Sequence, residues 1–560
     1  MNRVSLLLQK QHRLLFYACW LVLGLAQAGL TELLDDEAYY WVYGQYLDWG
    51  YYDHPPMIGL LIKMGYTIFP NELGVRLYPL LLNILSLVII EKLIDKKNPF
   101  LFYTIALSIA VLQLIGFVAV PDIPLIFFTA VFFLCYKRFT GVTSVKNTLL
   151  LGLAIALLLY SKYHAVLIVF FALLANWKLF TKYQTWLAGV IALLLFAPHL
   201  WWQYQHDWVS FRYHLFESNV NPYKFSHTGD YIIGQLLLPG PIAGFILLPA
   251  AFLYMAKSQT ERALRFTMIG IYTFFLLSSF RGKVEANWTS PALVPLIILA
   301  HNYLAEKIKW QTILYKLLPI TLLLTLFARI AMIQDILPVK AVKERYHSWK
   351  AWPAEMKERT KGLPIVFSNS YQRASKYWFY SGQPTYSLNH YIAGGRNNYN
   401  FWPLEEAVLG KPVYFLDKYQ LWRFPDSLKT PVGYVGYQYD PAFVSFAKIL
   451  VDVVPKKITI KEGDEFTLQC RFTVPEQYAS FIKDHTTLLN DTTRIGVFGK
   501  KGWVKDVFTL LTVSQMMKEK ETSLTINTGL PKGKYYLRFA INAGAYGPTH
   551  NSAKIELLVE

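Results

Sequence analysis

Apolar runs close to the roughly 20 residues needed to cross a bilayer recur through the first 335 residues of this chain and then stop. A run that is apolar all round has no face to offer water, so it commits that region to helices packed in lipid. The runs predict spans near 14–33, 74–91, 100–119, 123–136, 147–161, 164–177, 185–202, 231–255, 265–280, 289–304 and 313–333, about eleven in all. A composition 54% hydrophobic and 16% aromatic over 560 residues agrees with a polytopic membrane protein carrying a water-exposed tail. The expected organisation is a transmembrane domain over 1–335, an α/β extension over 336–440 and a β-sandwich over 441–560.

Charge then sets orientation. Lys10 and Arg13, Lys92, Lys96 and Lys97, Lys137 and Arg138, Lys178 and Lys182, Arg262 and Arg265, and Lys307 and Lys309 all fall on one side of this count, which makes that side cytoplasmic. The formal net charge of +18 therefore reports topology and affinity for anionic lipid, and no nucleic-acid recognition motif accompanies it. The first run lacks a small-residue cleavage site and reads as a retained helix. Cys19 and Cys135 sit in apolar runs and Cys470 in the tail, a spacing that fits neither a zinc knuckle nor a disulfide framework. The expected location is a bacterial inner membrane, crossed many times, with the C-terminal domains extracytoplasmic.

Every polar cluster of interest lands on the outer face. The stretch from Leu33 to Pro56 spaces Asp35, Asp36, Glu37, Asp48, Asp53 and His54 among eight tyrosines and tryptophans, as suits a membrane–water boundary. Asp122 lies between Pro121 and Ile123, Lys162 and His164 follow the fifth run, and Arg281, Lys283, Glu285 and Asn287 precede the tenth. A carboxylate takes the proton of an attacking hydroxyl while a cation stabilises a departing phosphate. Outside the cytoplasm there is no supply of nucleotide sugars, so a sugar carried on a polyprenyl phosphate is the activated donor that fits.

The motifs DE at Asp36 and Glu37, YYDHPP at Tyr51 to Pro56, ELGVRL at Glu72 to Leu77, VPDIPL at Val120 to Leu125, SKYHAVL at Ser161 to Leu167 and KVEANW at Lys283 to Trp288 carry a resemblance. In this order and with this sidedness the chain resembles the membrane-integral GT-C glycosyltransferases. Within them it is most similar to the bacterial branch related to protein O-mannosyltransferases and to the ArnT-like aminoarabinose transferases of lipid A. The resemblance implies that Asp36, with Glu37 beside it, acts on the acceptor hydroxyl, that Asp122 is the second outer acid, and that transfer inverts the anomeric centre. The lipid A transferases carry an acid and a lysine before the paired prolines, the acid contributing to a metal site and the lysine facing donor phosphate. This chain has Asp53 and His54 there, which makes those two the candidates for a divalent metal. A histidine is no permanent charge like lysine.

Other readings of the same residues stand beside these. Asp36 would also cap the helix predicted from Glu37 to Tyr46, Asp122 would also serve a turn, and Lys162 would also snorkel to the interface. Arg281 and Lys283, candidates to hold phosphate, would also serve as interfacial anchors, and Glu285 would pair with one of them. Arg76 reads as a packing residue, and His164, His199 and His206 as structural. The acceptor is a lipid, an envelope glycan or a protein hydroxyl. A lipid-linked saccharide flippase with a docking module is the rival reading, and polar groups in midspan would favour it.

The tail offers a strand at Ile365 to Phe367, a helix at Tyr371 to Tyr380 and a strand at Val413 to Leu416, with Tyr371 a candidate substrate contact. Beyond Ala442, alternating segments predict strands, with hairpin turns at Glu462 to Asp464 and Pro531 to Lys534.

Overall fold

A computed structural model describes residues 3–217, 223–392, 395–418, 421–431, 433–484, 492–500, 502–542 and 546–560. It divides into two compact units, Met1–His347 and Ser348–Glu560.

The first unit is helical. Five helices are long and apolar enough to cross a membrane: Gln11–Leu30, Glu72–Leu93, Asp122–Gly141, Tyr183–Gln205 and Ile308–Ile333. Several expected spans are shorter or interrupted. The run at 100–119 forms two helices, Pro99–Ser108 and Ala110–Leu114, and the run at 231–255 forms Phe225–Leu237 and Gly244–Leu253. The two breaks meet. Gly240 has φ of +115°, and a Cβ there would lie 2.4 Å from the Ser108 carbonyl oxygen, so only glycine fits the crossing. Around these breaks a continuous core of side chains such as Phe102, Phe133, Leu158, Met268 and Leu296 is fully enclosed.

The outer stretch 33–73 contains two helices: Asp35–Gln45, close to the one predicted from Glu37 to Tyr46, and Met57–Ile68, which was not predicted. Met57–Ile68 packs closely on Glu72–Leu93 because both carry glycine at the contact. A Cβ on Gly65 would stand 2.1 Å from the Gly74 carbonyl oxygen. The aromatics of this stretch are largely internal rather than a belt at the surface: Tyr39, Trp41, Tyr43, Tyr51 and Tyr52 are all buried, while Trp49 is exposed.

In the second unit, β1 (Ile365–Ser368), β2 (Thr385–Leu388), β3 (Val413–Asp417), β4 (Asp426–Thr430) and β5 (Gly433–Asp440) form a sheet of order β2-β1-β3-β5-β4. β1 pairs in parallel with β2 and β3, with helix Tyr371–Ser381 as the first crossover. The next strands are β6 (Leu450–Val454), β7 (Lys457–Ile460), β8 (Glu465–Thr473) and β9 (Thr492–Gly499). The chain ends with β10 (Gly502–Thr512), β11 (Glu521–Asn527), β12 (Gly533–Ile541) and β13 (Ile555–Val559). They make one sheet of order β10-β9-β12-β13-β7 and another of order β11-β8-β6. Val453, Leu468, Cys470 and Ile526 from the smaller sheet share a core with Val497, Leu537, Phe539 and Leu557 from the larger.

The two expected hairpin turns are not hairpins. Glu462 to Asp464 joins β7 to β8 and Pro531 to Lys534 joins β11 to β12, and in each case the connection passes from one sheet to the other. Turn residues mark where a strand ends without saying which sheet the next one joins. Strands on either side of residue 440 also belong to one unit: Phe415 stacks on Tyr546 with centroids 3.7 Å apart, and the Tyr391 hydroxyl donates to Asp506 at 2.5 Å.

Candidate active site

Three acids open helix Asp35–Gln45, where its N-terminal dipole favours negative charge. They diverge because successive helical residues point about 100° apart. Glu37 turns inward and is fully buried. Its Oε2 accepts the Leu34 backbone N–H at 2.9 Å, so Glu37, rather than Asp36, supplies the cap. Arg76 meets the same carboxylate in a fork, Nε to Oε1 at 2.8 Å and Nη2 to Oε2 at 2.5 Å, and the Ala119 N–H donates to it at 2.8 Å. The remaining Arg76 donors reach the carbonyls of Ala28, Thr31 and Glu32 at 2.8–2.9 Å. One buried ion pair thus fastens the end of the first helix, the start of the second and the backbone just before Val120.

Asp36 and Tyr40, one turn apart, face the other way. They line a cavity of about 240 Å³ together with His54, Asp122, Lys162, His164, His214, Glu285 and Asn287. Asp122 is the first residue of its helix, after Pro121, and is nearly buried. Lys162 follows the last residue of helix Val145–Ser161 and places Nζ 2.9 and 3.0 Å from the two Asp122 oxygens. Ser290 Oγ and Asn287 Nδ2 also donate to Asp122, at 2.7 and 3.0 Å. A carboxylate that accepts from three side chains is poorly suited to take a further proton. The ammonium keeps N–H capacity for a ligand, and it is the only lysine or arginine among the described residues lining the cavity.

Burial, and then the Lys162 ammonium, hold His54 well below the usual histidine range. Burial also lowers His214, against the opposing pull of the Asp53 carbonyl, which accepts from His214 Nε2 at 2.8 Å. His54 Nδ1 and His164 Nδ1 are buried with no hydrogen-bond partner among the described residues. The loop that carries His54 is anchored from below: Trp202 Nε1 donates to Asp48 Oδ2 at 2.7 Å, and Ser210 Oγ to the Tyr51 carbonyl at 2.7 Å.

Of the residues singled out in the sequence, Asp36, His54, Asp122, Lys162 and Glu285 come together in this cavity. Glu37 does not join them. Lys283 is exposed and pairs with Glu285 at 2.8 Å, one of the two pairings expected of that acid, and Arg281 is also exposed. Neither cation lines the cavity. Tyr371 begins a helix of the second unit, where Ser370 caps the Arg373 N–H. Asp53 lies just outside the cavity lining and accepts the Tyr43 hydroxyl. Among the described residues no three His, Cys, Asp or Glu side chains gather as a metal-binding group. Tyr40, Tyr163, His214, Asn287 and Ser290 were not read as site residues. Asn287 lay inside a quoted motif, whereas His214 stands far along the chain with no local signal.

Residues 53–202 match the family described as dolichyl-phosphate-mannose-protein mannosyltransferase. A lipid A galacturonosyltransferase, RgtD of Rhizobium johnstonii, is 27% identical over 287 residues, which cover 48% of this chain and 60% of that protein. The match therefore spans less than two thirds of that relative. Among solved structures, apo ArnT from Cupriavidus metallidurans aligns with TM-score 0.55 at 13% identity, over 77% of this chain and 98% of ArnT. The same protein bound to undecaprenyl phosphate aligns with TM-score 0.54 at 13% identity, over 76% and 97%.

Proposed function

We propose that this chain, which has the GT-C fold of ArnT, is a membrane glycosyltransferase that moves one sugar from a polyprenyl phosphate to a lipid hydroxyl at the extracytoplasmic face. The observation that carries the reading is the pairing of roles in one cavity: an exposed carboxylate, Asp36, and one buried ammonium, Lys162. The family match, the lipid A transferase relative and the neighbour that binds undecaprenyl phosphate support the donor and acceptor classes.

In this mechanism the acceptor hydroxyl attacks the anomeric carbon and passes its proton to Asp36. The bond from that carbon to the phosphate oxygen breaks, and the electron pair leaves with the lipid phosphate. Lys162 meets the growing charge on that phosphate, held in place by Asp122. Backside attack inverts the centre. His54 and His164, each with an open Nδ1, are placed to hydrogen-bond sugar hydroxyls. Among the described residues the cavity's acids and histidines form no three-donor metal-binding group.

The test is reconstitution of the full chain in liposomes with a polyprenyl-phosphate sugar and lipid A, followed by mass spectrometry. Transfer yields lipid A heavier by one sugar and an equal amount of free polyprenyl phosphate. Movement of intact donor across the bilayer with no new glycoside would establish the flippase reading instead.

A further inference from the structure

A second cavity, of about 500 Å³, shares no lining residue with the first and has no part in the chemistry above. Phe16, Trp20 and Leu23 of the first helix form one wall, Phe100 and Leu107 another, and Arg329 closes one end. Arg329 is itself held, its Nη2 donating to the Gln113 carbonyl at 2.7 Å. Along the first helix the lining runs from His12 to Leu23, which at 1.5 Å per residue is roughly 16 Å. That is about half the thickness of a bilayer's hydrocarbon core, the depth of one leaflet.

Arg13, Lys96 and Lys97 lie beside the His12 end. The His12 ring lies 5.4 Å from Phe100 and contacts the Tyr103 hydroxyl at 2.9 Å, while Arg13 Nη2 reaches the Lys96 carbonyl at 3.4 Å. The loop bearing Lys96 and Lys97 therefore borders the mouth. Its acids are already engaged: Asp95 pairs with Lys137 at 2.9 Å, and Glu91 with Arg13 at 2.8 Å and the Tyr17 hydroxyl at 2.9 Å. Lys96 and Lys97 are exposed, and no carboxylate among the described residues pairs with them. An apolar slot one leaflet deep beneath uncompensated ammonium groups matches a lipid with an acyl tail and a negative head.

We infer that this slot holds one acyl chain of an anionic phospholipid of the cytoplasmic leaflet, with its phosphate against Lys96 and Lys97. The inference uses the sidedness set by the positive loops and is independent of the transfer reaction. Binding there would fix the first helix, whose far end leads into the helix that carries Asp36.

Native mass spectrometry of the full chain in neutral detergent tests it, with phosphatidylglycerol and phosphatidylcholine of identical chains offered at equal concentration. The expected result is one retained phosphatidylglycerol, favoured over phosphatidylcholine. Lys96→Gln/Lys97→Gln should reduce that preference by roughly fivefold for each lysine removed. Cys19→Trp, which fills the slot from its exposed wall, should lower retention of both lipids. The lysine pair lies on an exposed loop, so the test stands even where Cys19→Trp fails to fold. Equal retention of the two lipids overturns the inference, as does a phosphatidylglycerol preference that the lysine variant leaves intact.

Discussion

Replacing Arg76 by methionine removes the side chain that fastens the start of helix Asp35–Gln45, and the cost follows from its contacts. The guanidinium donates twice to Glu37 and once each to the carbonyls of Ala28, Thr31 and Glu32, all within a site that is 0–1% exposed at the two side chains. Methionine fills similar volume, so packing changes little. What remains is a buried carboxylate that keeps only the Leu34 and Ala119 N–H donors, and three carbonyls without theirs. Breaking a buried pair in this way costs about 3–5 kcal/mol. Reversible unfolding in mixed detergent–SDS micelles measures it, with Glu37→Gln and the double variant completing a cycle. Because the two residues share one network, the cycle should show a coupling of at least about 1 kcal/mol, with the double variant less damaged than the sum. An Arg76→Met protein that unfolds within about 0.5 kcal/mol of wild type, the range of ordinary surface substitutions, would refute this account of the helix start.

Other outcomes follow from the same geometry. Lys162→Met should lower kcat in the liposome transfer assay about a hundredfold or more, the scale for loss of a preorganised electrostatic group. Arg281→Gln and Lys283→Gln should each leave that rate within about threefold, since both are exposed and the Lys283–Glu285 contact is a surface pair. In the second unit burial raises the Glu405 carboxyl above its ordinary value, against the opposing contacts from Ser445, Tyr478, Lys448 and the Ala447 N–H. The folded state therefore holds that proton more tightly than the unfolded chain, and this group's contribution to stability falls as pH rises from the usual carboxyl range through the raised value. Hydrogen exchange at the Ala447 amide, corrected for intrinsic rate, should show protection declining over that window in wild type and a flatter profile in Glu405→Gln.

Much of this architecture was legible along the chain. Apolar length found helices such as Glu72–Leu93 and Asp122–Gly141, and alternation found β8, β9 and β12. The interrupted helices were harder, because an apolar count does not register a break at Ile109, although Pro239-Gly240-Pro241 carried the breaker signal for the other. Met57–Ile68 is 12 residues long, too short for a span, and was absorbed into a loop. β10 escaped because its faces are mixed in exposure and it sits at a sheet edge.

The site divides the same way. The motif order brought Asp36, Asp122 and Lys162 forward, and the structure gathers them. The adjacent acids Asp36 and Glu37 look alike in a sequence, and only their helical phase and the distant Arg76 separate an exposed carboxylate from a buried one. The same holds for Asp122, whose role as a holder of Lys162 depends on Ser290 and Asn287, more than 160 positions away. His214 reaches the cavity through a segment with no periodic or motif signal at all.

The most direct test of the central claim compares wild type with Asp36→Asn, at matched amounts in liposomes, reading sugar-modified lipid by mass spectrometry. Asp36→Asn changes a single exposed side chain, so the fold should survive and donor binding should be retained. The account predicts that the one-sugar mass increment and the release of polyprenyl phosphate fall together by about a hundredfold or more, the scale of a lost general base. A folded Asp36→Asn protein that transfers sugar at the wild-type rate would contradict it.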